Sequence, residues 1–149
     1  MKIITYLFVS ILALSSVACL KPSQAEEDDD SIQEYLQSKG LTATRHPTGL
    51  YYNIINEGTG DAPKGTDSVV VHYKGALING QQFDGTTTTP RTFLLGVLIP
   101  AWQIGIPLIK KGGDIRLYSP SALGYGSSAV GPIPPNSVLV FEIQLVNIK

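Results

Sequence analysis

The sequence is poor in the residues that build covalent cross-links and metal centres. Its 149 residues include one cysteine, Cys19, and two histidines, His46 and His72. A single cysteine excludes an intrachain disulfide bond, and the lack of a C-x-x-C pair or a histidine cluster argues against a metal site. We therefore expect no metal and no cofactor.

A strong charge of either sign is also lacking. The chain carries 11 basic and 12 acidic residues, a formal net charge of -1, so no overall field attracts nucleic acid. The length is sufficient for one domain of about 100 residues together with targeting or linker sequence. A second full hydrophobic core is not expected.

The amino terminus has the pattern of an export signal, and we assign residues 1–18 to a signal peptide. A basic start precedes an apolar run from Ile3 to Val17, which is shorter than the ~20 residues that a membrane-spanning helix needs. Small residues then precede Cys19 in a segment that resembles a bacterial lipobox, although Ser16 stands where an aliphatic residue is usual. A lipid on Cys19 would hold the protein at a membrane without spanning it. An ordinary cleavage site beside an unmodified cysteine is the alternative.

Residues 19–30 are expected to form a lipidated acidic tether. The run from Glu26 to Asp30 consists of acidic residues only, and adjacent like charges resist compaction and favour a solvated segment. The run resembles a surface-export signal of some bacterial phyla, and a plain solubilising linker is the alternative. The expected location is the outer membrane, on its periplasmic or its cell-surface side.

Residues 31–48 are predicted to form a short helix and a linker. Ser31 and Glu34 have the spacing of a capping box, and Gly40 is suited to end the helix after Lys39. Such a helix is too short to be stable alone, so it either docks on the domain or frays.

Residues 49–149 are predicted to form the folded domain, with a β-rich pattern. The last strand is the clearest, because Leu139, Phe141 and Ile143 alternate with residues of the other face. We expect an α+β fold in which an antiparallel five-stranded sheet packs against one short helix. Strands are expected at 50–56, 68–73, 81–84, 92–95, 114–118 and 139–145, a hairpin turn at Asn79-Gly80, and a two-turn helix from Pro100 to Ile109.

Aromatic side chains are distributed along this domain. Taken alone, they are explained by a hydrophobic core. Asp84 directly after Phe83, and tyrosine hydroxyls that need partners if they are buried, favour a binding pocket instead. The aromatic residues are Tyr73, Phe83, Phe93, Trp102, Tyr125 and Phe141.

Five motifs in a fixed order distinguish these alternatives. V-H-Y-K-G, Q-Q-F-D-G, L-I-P-A-W, L-G-Y-G and V-L-V-F-E follow one another between Gly65 and Lys149. In order and spacing this segment resembles an FKBP-type peptidyl-prolyl cis-trans isomerase domain. The resemblance implies a shallow aromatic pocket, floored by the tryptophan, that grips a proline ring. It also implies proline-containing polypeptides as substrates.

Carried over position by position, the resemblance implies two groups of site residues. The Ile99 N–H and the Tyr125 hydroxyl would hydrogen-bond carbonyl groups of the ligand. Asp84 would act by polarity and orientation, or as a carboxylate that caps a turn, and not as a proton donor. The implied catalytic residues are Tyr73, Phe83, Asp84, Ile99, Trp102, Tyr125 and Phe141, and the implied substrate-binding residues are Leu98, Ile133 and Arg91.

Three positions depart from the usual family pattern. Arg91 stands where an aromatic pocket residue is common, Ala101 where glycine is usual before Trp102, and Gly124 where alanine is frequent. Arg91 would either open one pocket wall and favour acidic or polar residues beside the proline, or weaken the binding of macrolides.

Three functions remain open at this point. The first is a monomeric isomerase that speeds the folding of exported proteins limited by slow proline isomerisation. The second is a non-catalytic chaperone or peptide-binding lipoprotein of the same fold. The third is a surface adhesion or glycan-binding domain, which predicts that Trp102 is exposed on a flat face.

Overall fold

The computed structural model describes residues 21–149. The predicted signal peptide and the predicted lipidation site Cys19 lie outside the described residues. No helix in the described part combines the length and the hydropathy needed to cross a bilayer. The helices and strands are α1 (Gln24–Lys39), β1 (Thr44–Arg45), β2 (Tyr51–Asn56), β3 (Ser68–Leu77), β4 (Gln82–Gly85), β5 (Arg91–Leu94), α2 (Pro100–Gly105), β6 (Asp114–Ser119) and β7 (Leu139–Ile148), with 3-10 turns at Leu95–Val97, Ile106–Leu108 and Ser121–Leu123.

One antiparallel sheet contains the seven strands of residues 21–149. The strand order is β1-β2-β6-β7-β3-β4, and β5 also pairs with β3. β4 and β5 lie along the same edge of β3, β5 beside Ser68 to Val71 and β4 beside Lys74 to Ala76. The predicted α+β class with an antiparallel sheet is confirmed. The sheet has seven strands where five were expected, and six of the seven lie at strand positions that the sequence pattern indicates. The strand that the sequence pattern missed, β1, has only two residues, both exposed, which is too few for an alternating pattern.

β7 lies inside the sheet and has buried residues on both faces. Phe141, Ile143 and Leu145 are buried on the face toward α2, as the alternation predicts. Val140, on the opposite face, is also buried, because it packs in a second cluster with Ile32 of α1. We call the face toward α2 the inner face and the face toward α1 the outer face. Each face therefore carries its own hydrophobic cluster.

α2 packs closely on the inner face. Pro100 occupies its first turn, where a missing N–H costs nothing, and Pro107 lies in the 3-10 turn that follows the helix. Gly105 allows the helix to approach β6, because a Cβ at this position would lie 2.6 Å from the Leu117 side chain. Trp102, in the same helix, is thereby held within the inner cluster.

α1 begins well before the predicted start at Ser31, so the prediction of a solvated acidic tether is wrong for residues 24–30. The capping box is formed by Ser23 and Glu26, whose Oε2 accepts the Ser23 N–H at 2.7 Å. Acidic residues in the first turn interact favourably with the positive end of the helix dipole, which offsets their mutual repulsion. Gly40 ends the helix with φ of 62°, as predicted.

α1 is docked on the domain and does not fray. Ile32 and Leu36 are buried in the outer cluster. Asp29 accepts hydrogen bonds from Arg45 Nε at 2.9 Å and from the Tyr51 hydroxyl at 3.0 Å. Partial burial acts to raise the pKa of Asp29, but the hydrogen bonds from Arg45 and Tyr51 outweigh it and hold the pKa below its ordinary value.

Candidate functional site

A small aromatic cleft lies at the start of α2 and encloses about 150 Å³. A larger groove of about 520 Å³ is lined by polar side chains such as His72, Lys74, Arg116 and Glu142, and it is wide open to solvent. We place the candidate site in the smaller cleft, because an apolar surface with a few convergent polar groups is the usual form of a binding site. Its lining residues are Tyr73, Phe83, Asp84, Arg91, Phe93, Leu98, Ile99, Trp102, Tyr125 and Phe141.

Trp102 forms the floor of the cleft and is 5% exposed. Its ring lies edge-on to three others, at centroid distances of 5.1 Å to Tyr73, 5.9 Å to Phe93 and 5.6 Å to Phe141. Perpendicular packing of this kind is favourable for aromatic rings and fixes their orientation. The prediction of an exposed tryptophan on a flat face is therefore wrong, and with it the adhesion or glycan-binding hypothesis loses its basis.

Gly75, in the V-H-Y-K-G motif, makes room for one wall of the cleft. A Cβ at this position would lie 2.8 Å from the Phe83 ring and 3.0 Å from the Phe141 ring. The two rings meet edge to face at 5.9 Å. The glycine of the motif is therefore needed for the packing of these aromatic side chains.

A polar network of three side chains forms another wall. The Tyr73 hydroxyl donates to Asp84 Oδ2 at 2.6 Å, and Arg91 Nη1 donates to the Tyr73 hydroxyl at 3.0 Å and to Asp84 Oδ1 at 3.4 Å. The Gly85 N–H also donates to Asp84 Oδ1 at 2.8 Å, so the carboxylate binds the adjacent backbone as well as the side chains of the wall. Arg91 lines this wall and is engaged with Tyr73 and Asp84.

This network sets the ionisation of its members. Burial, followed by the hydrogen bond to Asp84, raises the pKa of Tyr73 to about 12. For Asp84, burial acts to raise the pKa, but the hydrogen bonds from Tyr73 and Gly85 and the charge of Arg91 outweigh it, so the pKa lies below its ordinary value. At neutral pH the wall therefore contains a neutral phenol and an ionised carboxylate.

Three hydrogen-bond donors at the cleft have no partner within residues 21–149: the buried Trp102 Nε1–H, the Ile99 N–H and the Tyr125 hydroxyl. Ile99 directly precedes α2 with extended backbone, and its N–H engages no acceptor within residues 21–149. The Tyr125 hydroxyl likewise has no hydrogen-bond partner in that range, and the side chain is 37% exposed. The Ile99 N–H and the Tyr125 hydroxyl are therefore available to the carbonyl oxygens of a ligand.

The structure brings together nine of the ten predicted pocket residues. Ile133 is the exception: its side chain is buried in the inner cluster and is not part of the cleft lining, and its backbone pairs with Val130. Phe93 lines the cleft but was not predicted to do so. The signal for Phe93 is its position two residues after Arg91 in β5, because alternate residues of a strand share a face.

The described chain offers no other chemistry at this site. Within residues 21–149 no group of three or more His, Cys, Asp or Glu side chains could hold a metal ion. The ionisable side chains in the cleft are the three of the polar wall and Tyr125. What the cleft presents to a ligand is therefore an apolar floor, one charged wall and three hydrogen-bond donors.

A model of the FKBP-type peptidyl-prolyl cis-trans isomerase domain matches residues 60–146. The chain belongs to the FKBP family. The match includes β3 to α2, the Tyr125 turn and Phe141, and so covers every residue of the cleft. The fold described above is accordingly the FKBP fold, with α1 added on the outer face.

Named relatives agree with the assignment to the FKBP family. The "FKBP-type peptidyl-prolyl cis-trans isomerase FkpA" of Escherichia coli K12 is 44% identical over 119 residues, which are 78% of this chain and 43% of the relative. The chain spans about half the length of the curated relatives that it matches. The crystal structure of FkpA from Escherichia coli has a TM-score of 0.75 at 42% identity, covering 84% of this chain and 61% of that one. A peptidyl-prolyl cis-trans isomerase from Pseudomonas syringae has a TM-score of 0.71 at 27% identity, covering 87% and 98%.

Proposed function

We propose that this FKBP domain catalyses the cis–trans isomerisation of X-Pro bonds in polypeptides. The observation that carries the proposal is the aromatic cleft over Trp102, with the Ile99 N–H and the Tyr125 hydroxyl free at its edge. A proline ring is compact and apolar, and its volume suits a cleft of about 150 Å³. Membership of the FKBP family supports the same reaction.

The reaction requires rotation about an amide bond and no covalent intermediate. Resonance between nitrogen and the carbonyl group makes the barrier ~18–20 kcal/mol. Placing the amide against the Trp102 floor removes it from water, which disfavours its more dipolar planar form. A cleft that fits the twisted amide better than either planar isomer lowers the barrier by differential binding.

The donors would hold the peptide on both sides of the rotating bond. The Ile99 N–H and the Tyr125 hydroxyl each donate to a carbonyl oxygen of the substrate, which fixes the backbone while the amide rotates. The polar wall would orient the substrate and act on it through its electrostatic field, without proton transfer. Around pH 7 Asp84 is ionised and Tyr73 is neutral. We therefore expect kcat/KM to be constant between about pH 6 and about pH 9.

The test is a protease-coupled assay on a short peptide with one Leu-Pro bond. Micromolar protein should accelerate the cis-to-trans conversion above the uncatalysed rate. Tyr125→Phe should lower kcat/KM about fivefold, the effect of one lost hydrogen bond of about 1 kcal/mol. Tyr52→Phe is the matched control, because it removes a hydroxyl from a residue that packs against the inner cluster outside the cleft.

The alternative is a non-catalytic chaperone of the same fold. It predicts that the wild-type protein suppresses aggregation of an unfolded protein without accelerating the peptide reaction. Absence of acceleration would therefore overturn the isomerase proposal. The presence of donors as well as an apolar floor favours catalysis, since a holding site for unfolded chains needs only the apolar surface.

We also propose that the protein is exported and anchored to a membrane by a lipid on Cys19, with exported proline-containing polypeptides as its substrates. The small residues before the single cysteine support this proposal. Because α1 begins at Gln24, the tether would be the segment from Leu20 to Ser23. The domain would then lie close to the membrane surface, as a monomer on the periplasmic or cell-surface side of the outer membrane.

Cell fractionation and labelling with a fatty acid test the anchor. Cys19→Ser should release the protein into the soluble fraction and abolish the label. Ser16→Leu is the control, because it supplies the aliphatic residue usual at this position and should retain both membrane location and label. A Cys19→Ser protein that stays in the membrane fraction would refute the anchor.

A further inference from the structure

Asp28 in α1 is a buried carboxylate that reaches across to the turn leading to the cleft. Asp28 is only 3% exposed. Its Oδ2 accepts hydrogen bonds from the Ser121 N–H at 2.8 Å and from the Ser121 hydroxyl at 2.6 Å. Oδ1 accepts from Gln24 Nε2 at 2.8 Å. Buried carboxylates are uncommon and require partners of this kind. The two hydrogen bonds from Ser121 thus connect α1 to a segment 93 residues later in the chain, and the third, from Gln24, lies within α1.

Ser121 in turn holds the backbone on both sides of Tyr125. Its carbonyl oxygen accepts the Gly124 N–H at 2.9 Å and the Gly126 N–H at 2.8 Å. The Gly126 carbonyl then accepts the Asn136 N–H at 2.8 Å. Tyr125 therefore lies between two residues whose N–H groups both donate hydrogen bonds to the carbonyl oxygen of Ser121.

No hydrogen bond of its own fixes the Tyr125 hydroxyl within residues 21–149, and Tyr125 is partly exposed. The polar contacts that position this residue are the backbone hydrogen bonds from Gly124 and Gly126 to Ser121. The carboxylate that holds Ser121 belongs to α1, on the other face of the sheet.

The hydrophobic docking of α1 holds Asp28 in register. Ile32, one helical turn after Asp28, is fully buried in the outer cluster. Tyr118 of β6 belongs to the same cluster and precedes Ser121 by three residues. The helix and the strand that leads into the turn are thus packed together beside the hydrogen bonds.

We propose that Asp28 is a positioning residue for the cleft: by holding Ser121 it orients the turn that presents the Tyr125 hydroxyl to the peptide. This inference rests on the proposed isomerase function. It assigns a part in activity to α1, a helix that lies outside the matched FKBP region of residues 60–146. Asp28 touches no substrate in this arrangement and acts only through Ser121 and Tyr125.

The test is a double-mutant cycle on the full chain in the Leu-Pro peptide assay. Asp28→Asn should lower kcat/KM about fivefold when Tyr125 is present, by weakening the hydrogen bonds to Ser121. In the Tyr125→Phe background the same substitution should have almost no effect, because there is no hydroxyl left to position. Asp30→Asn removes a carboxylate from the exposed side of α1 and serves as the control, with unchanged kcat/KM.

A second substitution protects the test against a variant that does not fold. Ser121→Ala keeps the N–H that donates to Asp28 and loses only the hydroxyl, so it should give a smaller loss of kcat/KM that also disappears with Tyr125→Phe. Equal losses with and without the Tyr125 hydroxyl would mean that Asp28 only stabilises the fold, and would overturn the inference. Unchanged kcat/KM in Asp28→Asn would overturn it as well.

Amide hydrogen exchange provides a readout that needs no turnover. The Gly124 and Gly126 amides should exchange faster in Asp28→Asn than in the wild type and the Asp30→Asn control. If the wild-type protein lacks isomerase activity, the proposed function fails, while exchange at these two amides still decides whether Asp28 holds the turn. Unchanged exchange would refute the inference independently of activity.

Discussion

The two helices cover opposite faces of one sheet with different chemistry. α2 is a single six-residue helix with buried Ala101, Trp102 and Gly105, and it is held by apolar packing. α1 has 16 residues, many of them acidic, and adds the buried Asp28 to its apolar residues Ile32 and Leu36. Apolar contact stabilises a helix without much directional preference, whereas hydrogen bonds are directional. A helix with a narrow apolar stripe therefore relies on polar contacts for its register.

The largest expected loss of stability follows from a substitution on the inner face. Leu117→Ala should lower the free energy of unfolding by about 3 kcal/mol, because Leu117 is fully buried and packs against Gly105 of α2. Equilibrium unfolding in urea measures this, with Ile55→Ala, at a position 63% exposed, as the control. A loss as small as that of the control would mean that the inner face is not the main core.

A smaller effect is expected on the outer face. Ile32→Ala should lower the free energy of unfolding by about 2 kcal/mol, at the low end for a buried isoleucine, because α1 can separate locally instead of leaving a cavity. Amide exchange should therefore increase throughout α1 while β7 and β3 stay protected. Gln37→Ala, on the exposed side of the helix, is the control. Uniform loss of protection would show that the two faces unfold as one unit.

Arg91→Gln should have a modest effect through the polar wall. The pKa of Asp84 is lowered in the folded state, so its contacts add stability above the unfolded pKa and lose it as the pH falls through the folded pKa. The substitution should raise the pKa of Asp84 and reduce stability at neutral pH by less than about 1 kcal/mol, because both side chains are about half exposed.

Urea unfolding at several pH values and an NMR titration of Asp84 measure these changes. The stability difference from the wild type should disappear at a pH below the folded pKa of Asp84. Lys74→Gln, which removes an exposed positive charge of β3, is the control. An unchanged Asp84 titration in Arg91→Gln would show that Arg91 does not act on this carboxylate.

The smallest effect is expected at the edge of the outer face. Arg45→Gln removes the ion pair with Asp29, in which the arginine side chain is 53% exposed and the carboxylate side chain 26% exposed, and ion pairs open to solvent contribute little to stability. The melting temperature should stay within error of the wild-type value, whereas that of Asp28→Asn should fall clearly. Equal shifts in the two variants would mean that the buried Asp28 contributes no more to stability than the partly exposed Asp29.

Strand positions could be predicted from the sequence because they depend on local pattern, and most of the cleft could be predicted from the resemblance to the FKBP family. The alternation of β7, the glycine that ends α1 and the proline that begins α2 each follow from a few neighbouring residues. The order of the motifs led to nine of ten cleft residues. Ile133 lies in the adjacent core and outside the cleft lining, a distinction that its sequence context does not make.

The acidic run shows where sequence reasoning fails. Five adjacent carboxylates predict a solvated segment when only their mutual repulsion is considered. Asp28 and Asp29 instead bind Ser121 and Arg45, which come from distant parts of the chain. These partners are brought within reach only when β1 and β6 are in place, so no local rule identifies them.

The sequence by itself determined most strand positions, because periodicity and turn chemistry act over short distances. The ordered motifs added the residues around Trp102, through the resemblance to the FKBP family. Tertiary structure alone decided that α1 packs on the outer face, that Arg91 joins Tyr73 and Asp84 in one wall, and that Asp28 holds the turn of Tyr125. Each of these depends on hydrogen bonds or contacts between segments far apart in the chain, whose geometry exists only after the sheet has formed.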